Sequence, residues 1–516
     1  MAVGHAHPGL TAPLATTVAD AEALCFGWIR GLLIVNGDAD VLSGPVVSGV
    51  LVGQVAASVA VTVMSGWLYR LGSGFRPVPF VVWMAPLPLL VLAPRVPWFA
   101  AVSVAAGAWL IGQFGLWSYY TRDVKLPRLL VAVQFAGGCV GIGGIVGLAR
   151  AHLVNGHLAL AALALPVAWA AMEFLVSLGS PHGAWWSVAY TQADIPAVTQ
   201  VASLTGVWGI SALLALPAGV AAAVTAPAGT NSERLLVLLV AVAVVAALVG
   251  YGVRRRRRAD FGEPVHVGLA AVEQRGGPVP IHSAEGAELV SRYVARVRLL
   301  AGRGAAVIVL PEVTFTVDED RIVEQMQPFA RVAVDLGVEV VLGVARLSET
   351  GPANVAVVFG AASDSPSQYQ KHHLVPGLEA AYRPGRDLLY LPDDPRVGVL
   401  ICKDLDFPQL ARAYRRGGAR MLLAPAWDFV RDGWLHSRMA VLRGVESGVA
   451  VARVARCGRA TISDAFGGIV VEADTSEGAA VDAVVPLAAA STLYSRVGDW
   501  FGWCCVAATA LIVALI

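Results

Sequence analysis

The sequence predicts a helical membrane region followed by a water-exposed α/β domain, and three observations lead to this fold class. Of the 516 residues, 56% are hydrophobic and only 15% are charged, with a mean hydropathy of +0.65, which is too apolar for an ordinary soluble protein. Long apolar runs follow one another from residue 46 to residue 253. After Arg258, short apolar runs alternate with amphipathic stretches, a pattern typical of an α/β fold.

The apolar runs are long enough to cross a bilayer, which takes roughly 17 to 25 helical residues. We expect spans at 46–69, 78–92, 98–117, 129–148, 157–178, 207–224, 235–253 and 500–516. A shorter apolar run at 25–35 contains Arg30 and is either interfacial or an extra span. These patterns divide the chain into an N-terminal segment (1–45), a multi-span transmembrane domain (46–258), an α/β domain (259–497) and a C-terminal transmembrane helix (498–516).

Within the α/β domain, the short apolar runs predict strands. They lie at 265–271, 305–310, 338–344, 355–359, 397–401, 421–425 and 449–454, and the stretches between them predict helices at 287–300, 321–336, 408–416 and 434–444. Functional sites of open α/β sheets gather at the carboxyl ends of strands. Residues that are distant in sequence can therefore meet there.

Three ionisable residues follow, or lie close to, separate predicted strands: Glu312 after AVIVLP, Lys371 in QYQKHHLVPGLE and Cys402 after VGVLI. Taken singly, each has an ordinary structural interpretation, since a free cysteine after an apolar strand is usually a packing residue. Together they form an acyl-transfer set. The carboxylate can accept the thiol proton, the thiolate can attack a carbonyl and the ammonium can stabilise the oxyanion.

The segments LPEVTF, YQKHHLVPGLE and GVLICKD around these residues resemble the Glu-Lys-Cys signature of the nitrilase, or carbon-nitrogen hydrolase, superfamily. The resemblance covers essentially the whole α/β domain and implies an α-β-β-α sandwich. With several spans before this domain and one after it, the chain resembles the apolipoprotein N-acyltransferases within that superfamily. The segments PVAWAAMEFL and WWSVAYTQADIPAVTQVASLTGVWGIS are similar to that family's late spans and the loop joining them.

This resemblance implies a two-step acyl transfer at the cell membrane. Cys402 would take an acyl chain from a phospholipid as a thioester and pass it to the N-terminal amine of a diacylglyceryl lipoprotein. Glu312 would be the base, Lys371 would face the oxyanion, and Glu379 would orient Lys371 and the nucleophile. The backbone N–H of Lys403 would complete the oxyanion site. The resemblance implies no cofactor, and we expect a monomer.

The sequence departs from the acyltransferase pattern at two places. Lys403 and Asp404 follow Cys402, where the acyltransferases commonly carry an aromatic residue and a Glu, and a cation beside the thiol should favour thiolate. The segment between Glu379 and Cys402 is short, and its AYRPG motif is closer to soluble amidases. Two alternatives therefore stay open: a membrane-anchored amidase, in which water replaces the lipoprotein amine, and a non-catalytic scaffold.

Two features give different indications of the side of the membrane. The resemblance implies a catalytic domain outside the cytoplasm. The arginine run 254–258 lies at the end of a span on the side of the α/β domain, and positive residues favour the cytoplasm. The run could instead bind anionic headgroups or simply mark the end of the span. Because the loop 179–204 on the same side contains no Lys or Arg, we expect the extracytoplasmic arrangement.

A carboxylate interrupts the apolar face of the predicted helix at 434–444 and just beyond. Leu435, Met439, Leu442 and Glu446 share that face by helical spacing. A carboxylate in such a position should be buried and paired, so we expect Arg438 or a backbone group to satisfy Glu446 in a supporting role.

Three remaining features concern ligands. Trp427 follows a predicted strand and either lines an acyl pocket or belongs to the core. His372 and His373 are adjacent in sequence and cannot easily share one face of a metal, so we predict no metal site. The formal net charge of +1 gives no bias toward nucleic acid.

Overall fold

The computed structural model describes residues 45–274, 276–360 and 366–516, with side chains from residue 52 onward. The predicted N-terminal segment, including the apolar run at 25–35, lies outside the described residues. The helix Pro45–Gly72 begins the described chain. Residues 58–516 form one compact unit.

Six helices of the described chain are long and apolar enough to cross a membrane. These segments are Val52–Gly72, Trp98–Leu116, Arg128–Val154, Leu158–Gly179, Val207–Val224 and Asn231–Arg257. Their burial differs widely: 72% of the most apolar window in Val207–Val224 is buried, against 6% in Asn231–Arg257. The first of these two helices therefore lies inside the bundle and the second on its outside. The prediction of a multi-pass helical membrane protein is confirmed.

Two predicted spans differ from the structure. In place of a single span at 78–92 lie the short helices Val81–Met84 and Leu87–Leu92 and the 3-10 turn Ala93–Arg95. Proline residues at 79, 86, 88, 94 and 97 break this segment, because proline cannot donate a helical backbone hydrogen bond. The last helix, Trp500–Ala514, has 15 residues. It packs closely on the bundle, where a Cβ at Gly502 would lie 2.6 Å from the Phe174 ring.

Short helical turns connect the long helices. They are the 3-10 turns Phe114–Leu116 and Val188–Gln192, the π-helix Tyr119–Asp123 and the helices Pro196–Thr199 and Ala202–Thr205. The connection between the helices Leu158–Gly179 and Val207–Val224 lies against the α/β domain. In this connection, the backbone N–H of Ala184 donates to the carbonyl of Asp406 at 2.8 Å.

The α/β domain contains two sheets. Its described strands are β1 (Phe261–Ala271), β2 (Val279–Pro280), β3 (Val307–Val309), β4 (Phe315–Asp318), β5 (Glu339–Leu347), β6 (Ala353–Phe359), β7 (Ser367–Gln370), β8 (Leu389–Tyr390), β9 (Val397–Val399), β10 (Met421–Trp427), β11 (Ala450–Arg456), β12 (Arg459–Ser463), β13 (Ile469–Asp474) and β14 (Ala479–Ala488). The first sheet has the order β14-β1-β3-β5-β4-β2, with β6 beside β5 and β7 beside β6. The second has the order β13-β12-β11-β10-β9-β8.

The sheets pack face to face between outer helices, which gives the α-β-β-α sandwich expected from the resemblance. One core lies between the sheets and contains Val267 and Val309 of the first sheet and Val399 and Leu423 of the second. Helices Ala284–Gly302 and Gln327–Leu336 cover the outer face of the first sheet. Helices Pro408–Arg416 and Gly433–Ser447 lie on the side of the second.

All seven apolar runs that predicted strands are strands, but the sequence missed others. Strand β14 pairs antiparallel along nearly the whole of β1, although its Ala-rich sequence has no clear alternation. The short strands β2, β4, β7 and β8 and the hairpin strands β12 and β13 also correspond to none of the predicted runs. The helix predicted at 321–336 is divided at Met326 into Ile322–Gln325 and Gln327–Leu336, because Pro328 occupies the first turn of the second helix.

Candidate active site

Cys402 lies at a sharp bend just after a buried strand. Strand β9 continues through Leu400 and Ile401, and the 3-10 turn Cys402–Asp406 begins at the cysteine itself. The backbone of Cys402 has φ of +42°, a left-handed conformation that is uncommon for a residue with a side chain. Such strained positions persist where the surrounding structure fixes them, and they concentrate at functional sites.

Glu312 follows β3 in the other sheet, two residues beyond Leu310, and is 3% exposed. Its backbone N–H donates to the carbonyl of Ala426, on β10, at 3.3 Å. On the neighbouring strand β5, a Cβ at Gly343 would lie 2.4 Å from the Cα of Glu312. A glycine is therefore required at residue 343 for Glu312 to sit this deep between the sheets.

Lys371 follows β7 directly and is 1% exposed. Its Nζ donates to Oε1 of Glu312 at 2.7 Å and to Oε2 of Glu379 at 2.9 Å. The Nδ2 of Asn354, on β6, donates to both carboxylates as well, at 2.7 Å to Glu312 and 2.5 Å to Glu379. The backbone N–H of Val375 fixes Glu379 further at 2.6 Å. This network holds the ammonium between two carboxylates in a single geometry.

The three predicted residues Glu312, Lys371 and Cys402 line one cavity of about 430 Å³. Glu379, Lys403 and Trp427 line it too. The aromatic and apolar part of the wall comes from both halves of the chain: Tyr119, Tyr120, Val124 and Trp185 from the membrane region, and Leu378, Tyr382 and Phe429 from the α/β domain. A mostly apolar cavity with a few converging polar groups is the usual form of a small-molecule site.

Burial dominates the ionisation of these groups. It raises the pKa of Glu312 above the ordinary value, with Lys371 opposing the shift and Glu379 adding to it. Burial would lower the pKa of Lys371, but the carboxylates of Glu312 and Glu379 outweigh it and raise that pKa well above the usual range. Burial and the charge of Glu312 raise the pKa of the Cys402 thiol, against the opposing charges of Lys371 and Arg453. The resting cysteine is therefore a thiol beside a carboxylate that can accept its proton.

The two residues after Cys402 make different contacts. Asp404 is fully buried and accepts hydrogen bonds from the Tyr369 hydroxyl at 2.7 Å and from the backbone N–H groups of His373 at 2.9 Å and Ile401 at 3.1 Å. These hydrogen bonds connect the loop that carries Lys371 to the turn Cys402–Asp406. The ammonium of Lys403 donates to Asp406 at 3.2 Å. The cations that most strongly lower the pKa of the thiol are Lys371 and Arg453, and the expectation that Lys403 favours the thiolate stays a prediction.

Trp427 ends β10 and forms part of the cavity wall. Its ring lies under the guanidinium of Arg456, 3.8 Å from the ring centroid, and its carbonyl accepts from Cys402 Sγ at 3.7 Å. Trp427 thus lines the cavity and contacts Cys402. The alternative of a simple core tryptophan does not apply.

Sequence reasoning missed a buried ionic cluster behind the nucleophile, formed by Asp428, Asp432, His436 and Arg453. Both carboxylates approach Nδ1 of His436, at 3.1 and 3.4 Å, and Arg453 forms a bidentate pair with Asp428. The Tyr119 hydroxyl donates to Asp432 at 2.5 Å. Asp428, Asp432 and His436 are residue types that can bind a metal, but the guanidinium occupies the Asp428 oxygens. We therefore interpret the cluster as an ion-pair network. An arginine inside the apolar run VAVARVAR was the available signal.

Glu446 is fully buried and lies outside the residues that line the cavity. It forms an ion pair with Arg443 and accepts from the backbone N–H of Val207 at 2.6 Å. The expected backbone partner is therefore present, but Arg438 is not the cation. Arg438 instead pairs with Asp194 at 2.6 Å and with Glu472.

Comparisons with known proteins match both halves of the chain. The carbon-nitrogen hydrolase family matches residues 266–492, and the apolipoprotein N-acyltransferase N-terminal domain matches residues 65–220. Two solved structures are similar to part of the chain. An amidase from Nesterenkonia sp. is 18% identical with a TM-score of 0.36, covering 44% of this chain and 93% of that one. A carbon-nitrogen hydrolase from Helicobacter pylori G27 is 15% identical with a TM-score of 0.38, covering 43% and 89%.

Curated relatives are similar over most of both chains. Apolipoprotein N-acyltransferase of Geobacter metallireducens is 29% identical over 401 residues, which is 68% of this chain and 74% of the relative. The enzyme of the same name from Rhodopseudomonas palustris is 24% identical over 453 residues, or 78% and 82%. Because the membrane half and the α/β half both match, and match in one order, the chain belongs to the apolipoprotein N-acyltransferase family of the carbon-nitrogen hydrolase superfamily.

Proposed function

We propose that this protein moves an acyl chain from a phospholipid to the N-terminal amine of a diacylglyceryl lipoprotein through a thioester on Cys402. The observation that carries the proposal is the meeting of Glu312, Lys371 and Cys402 in one cavity whose apolar wall is partly supplied by the membrane region. An acyl chain can therefore reach the thiol from the bilayer. The match of residues 65–220 to the acyltransferase N-terminal domain favours transfer over the amidase alternative.

In the first step, Cys402 Sγ attacks the ester carbonyl of the phospholipid while Glu312 takes the thiol proton. Lys371 and the backbone N–H of Lys403 are the proposed donors to the oxyanion. The tetrahedral intermediate then expels the glycerol oxygen of the lysophospholipid, which receives the proton from Glu312. A thioester on Cys402 is left, and Glu312 is again a carboxylate.

In the second step, the uncharged lipoprotein amine attacks the thioester carbonyl and gives a proton to Glu312. The tetrahedral intermediate collapses with cleavage of the C–S bond, and the proton returns from Glu312 to the departing sulfur. The products are an amide and the free thiol. The network around Lys371 suits both steps, because Asn354 and Glu379 hold the ammonium and the base in one position.

The topology belongs to the same proposal. Both substrates are anchored in the membrane, so a monomer with its catalytic domain against the outer surface of the cell membrane brings them to one cavity. The six apolar helices support the membrane location.

The test is intact-protein and peptide mass spectrometry of the full-length protein in detergent with phospholipid. We expect one acyl adduct on Cys402 and its loss on addition of a diacylated lipopeptide, with a triacylated peptide as product. Glu312→Gln should slow adduct formation by about 10²- to 10⁴-fold, the usual contribution of a general base.

Cys457→Ser is the matched control, because Cys457 also has a left-handed backbone, with φ of +53°, but does not line the catalytic cavity. This variant should form the adduct normally. An adduct on Cys457 in the unchanged protein would contradict the site. Release of free fatty acid at the same rate with and without lipopeptide would contradict transfer and favour hydrolysis.

A further inference from the structure

Two lysines that line the catalytic cavity, Lys403 and Lys125, have side chains with no role in the proposed reaction. Lys403 lies directly after the nucleophile. Lys125 lies in the connection between the π-helix Tyr119–Asp123 and the membrane helix Arg128–Val154. One cation therefore comes from each half of the molecule.

Lys403 is almost buried, with 7% of its side chain exposed. Its Nζ donates to Asp406 Oδ2 at 3.2 Å and lies 3.3 Å from Nδ1 of His182. Burial, and then the charge of Lys403, lower the pKa of His182 to about 4, so the ring is neutral and its nitrogen can accept. An ammonium has three N–H donors. Two of them are used here, which leaves the third for a group in the cavity.

Lys125 is exposed, and within the described chain it makes no ion pair or hydrogen bond through its side chain. Its backbone has φ of +60°, the left-handed conformation that disfavours residues with a side chain. The buried neighbours Val124 and Leu126 hold it there: their N–H groups donate to the carbonyls of Tyr119 at 3.0 Å and Tyr120 at 2.8 Å. The local structure thus keeps an unpaired cation at the cavity.

Each carboxylate of the described cavity lining has a cationic partner. Asp123 pairs with Arg431 at 3.1 Å, Asp406 pairs with Lys403 at 3.2 Å, and Glu312 and Glu379 share the single cation of Lys371. Among the cavity residues that the structure describes, Lys125 is the cation without a counter-ion. An anionic group in the cavity is therefore favoured at Lys125, and the remaining N–H of Lys403 can donate to the same group, since charge-assisted hydrogen bonds to an anion are stronger than neutral ones.

We propose that Lys403 and Lys125 form a subsite for the phosphodiester of the phospholipid donor. This inference rests on the proposed function and deepens it by naming what distinguishes the donor from the acceptor. The phosphate of a glycerophospholipid is a few bonds from its ester carbonyl, so a carbonyl at Cys402 brings the phosphate to the neighbouring wall. Lys125 lies in the connection between the membrane segments Trp98–Leu116 and Arg128–Val154, and the ends of spanning helices meet the lipid headgroups. A diacylglyceryl lipoprotein has no phosphate, so the subsite acts in the first step alone.

The experiment is single-turnover formation of the Cys402 adduct by the full-length protein in neutral detergent micelles. The donors are phosphatidylglycerol and a diacylglycerol with the same acyl chains, which lacks the phosphate. Lys403→Met and Lys125→Met should each raise the half-saturating concentration of phosphatidylglycerol by about five- to tenfold, the value of one charge-assisted contact. For Lys125→Met, the maximal rate should change less than about twofold and the reaction of diacylglycerol should stay unchanged.

Arg257→Gln is the matched control, because Arg257 is an exposed cation at the end of a membrane helix and does not line the cavity. It should leave both donors unaffected. Lys125→Met is the variant that decides the test, because the Lys125 side chain has no described partner and its replacement should leave the fold intact. Equal effects on both donors, or no effect on either, would overturn the subsite while leaving the thioester route intact. No adduct from either donor in the unchanged protein would overturn the proposed function and the subsite with it.

Discussion

At the scale of residues, the site depends on one ammonium held between two carboxylates. Lys371 contacts Glu312 and Glu379 at 2.7 and 2.9 Å, and Asn354 donates to the same two acids. Glu312, the proposed acceptor of the thiol proton, therefore has a pKa that Lys371 lowers and Glu379 raises. We expect Glu379 to act on the proposed reaction through the charge it places beside Glu312.

The pH dependence of adduct formation should report this arrangement. Glu312 must be deprotonated to accept the thiol proton, so activity is lost as the pH falls through its pKa. Burial raises that pKa above the ordinary 4.5, and the acidic limb should lie correspondingly higher. Because the charge of Glu379 contributes to the rise, Glu379→Gln should move the limb to lower pH. The measurement is the rate of adduct formation against pH, followed by mass spectrometry.

A substitution that changed only the packing would lower the rate without moving the limb. Glu324→Gln provides the control, since Glu324 is an exposed surface residue paired with Arg321 at 3.0 Å. Its profile should coincide with that of the unchanged protein. A limb that shifts to higher pH in Glu379→Gln would contradict the assignment of Glu312 as the base.

At the scale of elements, the helix Gly433–Ser447 joins the two halves of the molecule. Its residues Met439, Leu442 and Val445 belong to the same apolar cluster as Trp185 and Trp208 of the membrane region. Glu446 accepts from the first N–H of the helix Val207–Val224, where the helix dipole favours a negative charge. The ion pair of Glu446 with Arg443 is buried on both sides.

Replacing Glu446 should therefore destabilise the whole protein. Glu446→Ala leaves the Arg443 guanidinium buried without its counter-ion, which costs about 3–5 kcal/mol. The thermal unfolding midpoint in detergent should fall. The midpoint of Glu446→Gln should fall less, because the amide oxygen of the glutamine can still accept from the Val207 N–H. Glu324→Ala, which breaks an exposed pair, should change the free energy of unfolding by less than about 1 kcal/mol. A midpoint for Glu446→Ala equal to that of the unchanged protein would show that the pair contributes nothing.

The elements also show what the sequence could predict. Strands β1, β3, β5, β6, β9, β10 and β11 contain mostly apolar residues because most of each strand is buried, and this pattern is visible in the sequence. Strand β14 is held by its pairing with β1, and β7 by its pairing with β6. Those contacts join residues that are far apart or only weakly patterned, so local sequence does not reveal them.

The candidate site was predictable to the same degree. Glu312, Lys371 and Cys402 stand beside recognisable strands and motifs, and the structure brings them to one cavity. Asn354 and Arg453 lie inside apolar strands, where their partners depend on the packing of two sheets. Lys125 and His182 reach the cavity only because membrane connections fold onto the α/β domain.

At the scale of the whole molecule, the helix Asn231–Arg257 is long and apolar enough to cross the membrane, so its two ends lie on opposite sides. Its first residues carry a capping box between Thr230 and Glu233, and its last turn carries four arginines before β1 begins at Phe261. The proposed topology places the arginines and the α/β domain outside the cytoplasm. The charge rule alone would place them inside.

Cysteine labelling in intact cells separates these arrangements. In a background with the six native cysteines replaced, the exposed residue Ser476 of the α/β domain is changed to cysteine, and Ser232 at the other end of the helix serves as the matched control. A membrane-impermeant maleimide should label Ser476→Cys at once and Ser232→Cys only after permeabilisation. The reverse pattern would place the catalytic domain in the cytoplasm.

The turn that carries Cys402 is bonded to a membrane connection, since the Ala184 N–H donates to the carbonyl of Asp406 and a Cβ at Gly183 would lie 2.6 Å from that same oxygen. A water-soluble fragment that contained only the α/β domain would thus lose these contacts. It would also lose Tyr119, Tyr120 and Trp185 from the wall of the cavity around Cys402. Inhibitor screens against such a fragment would use a cavity that lacks part of its wall. Compounds selected in this way would not fit the cavity of the full-length protein.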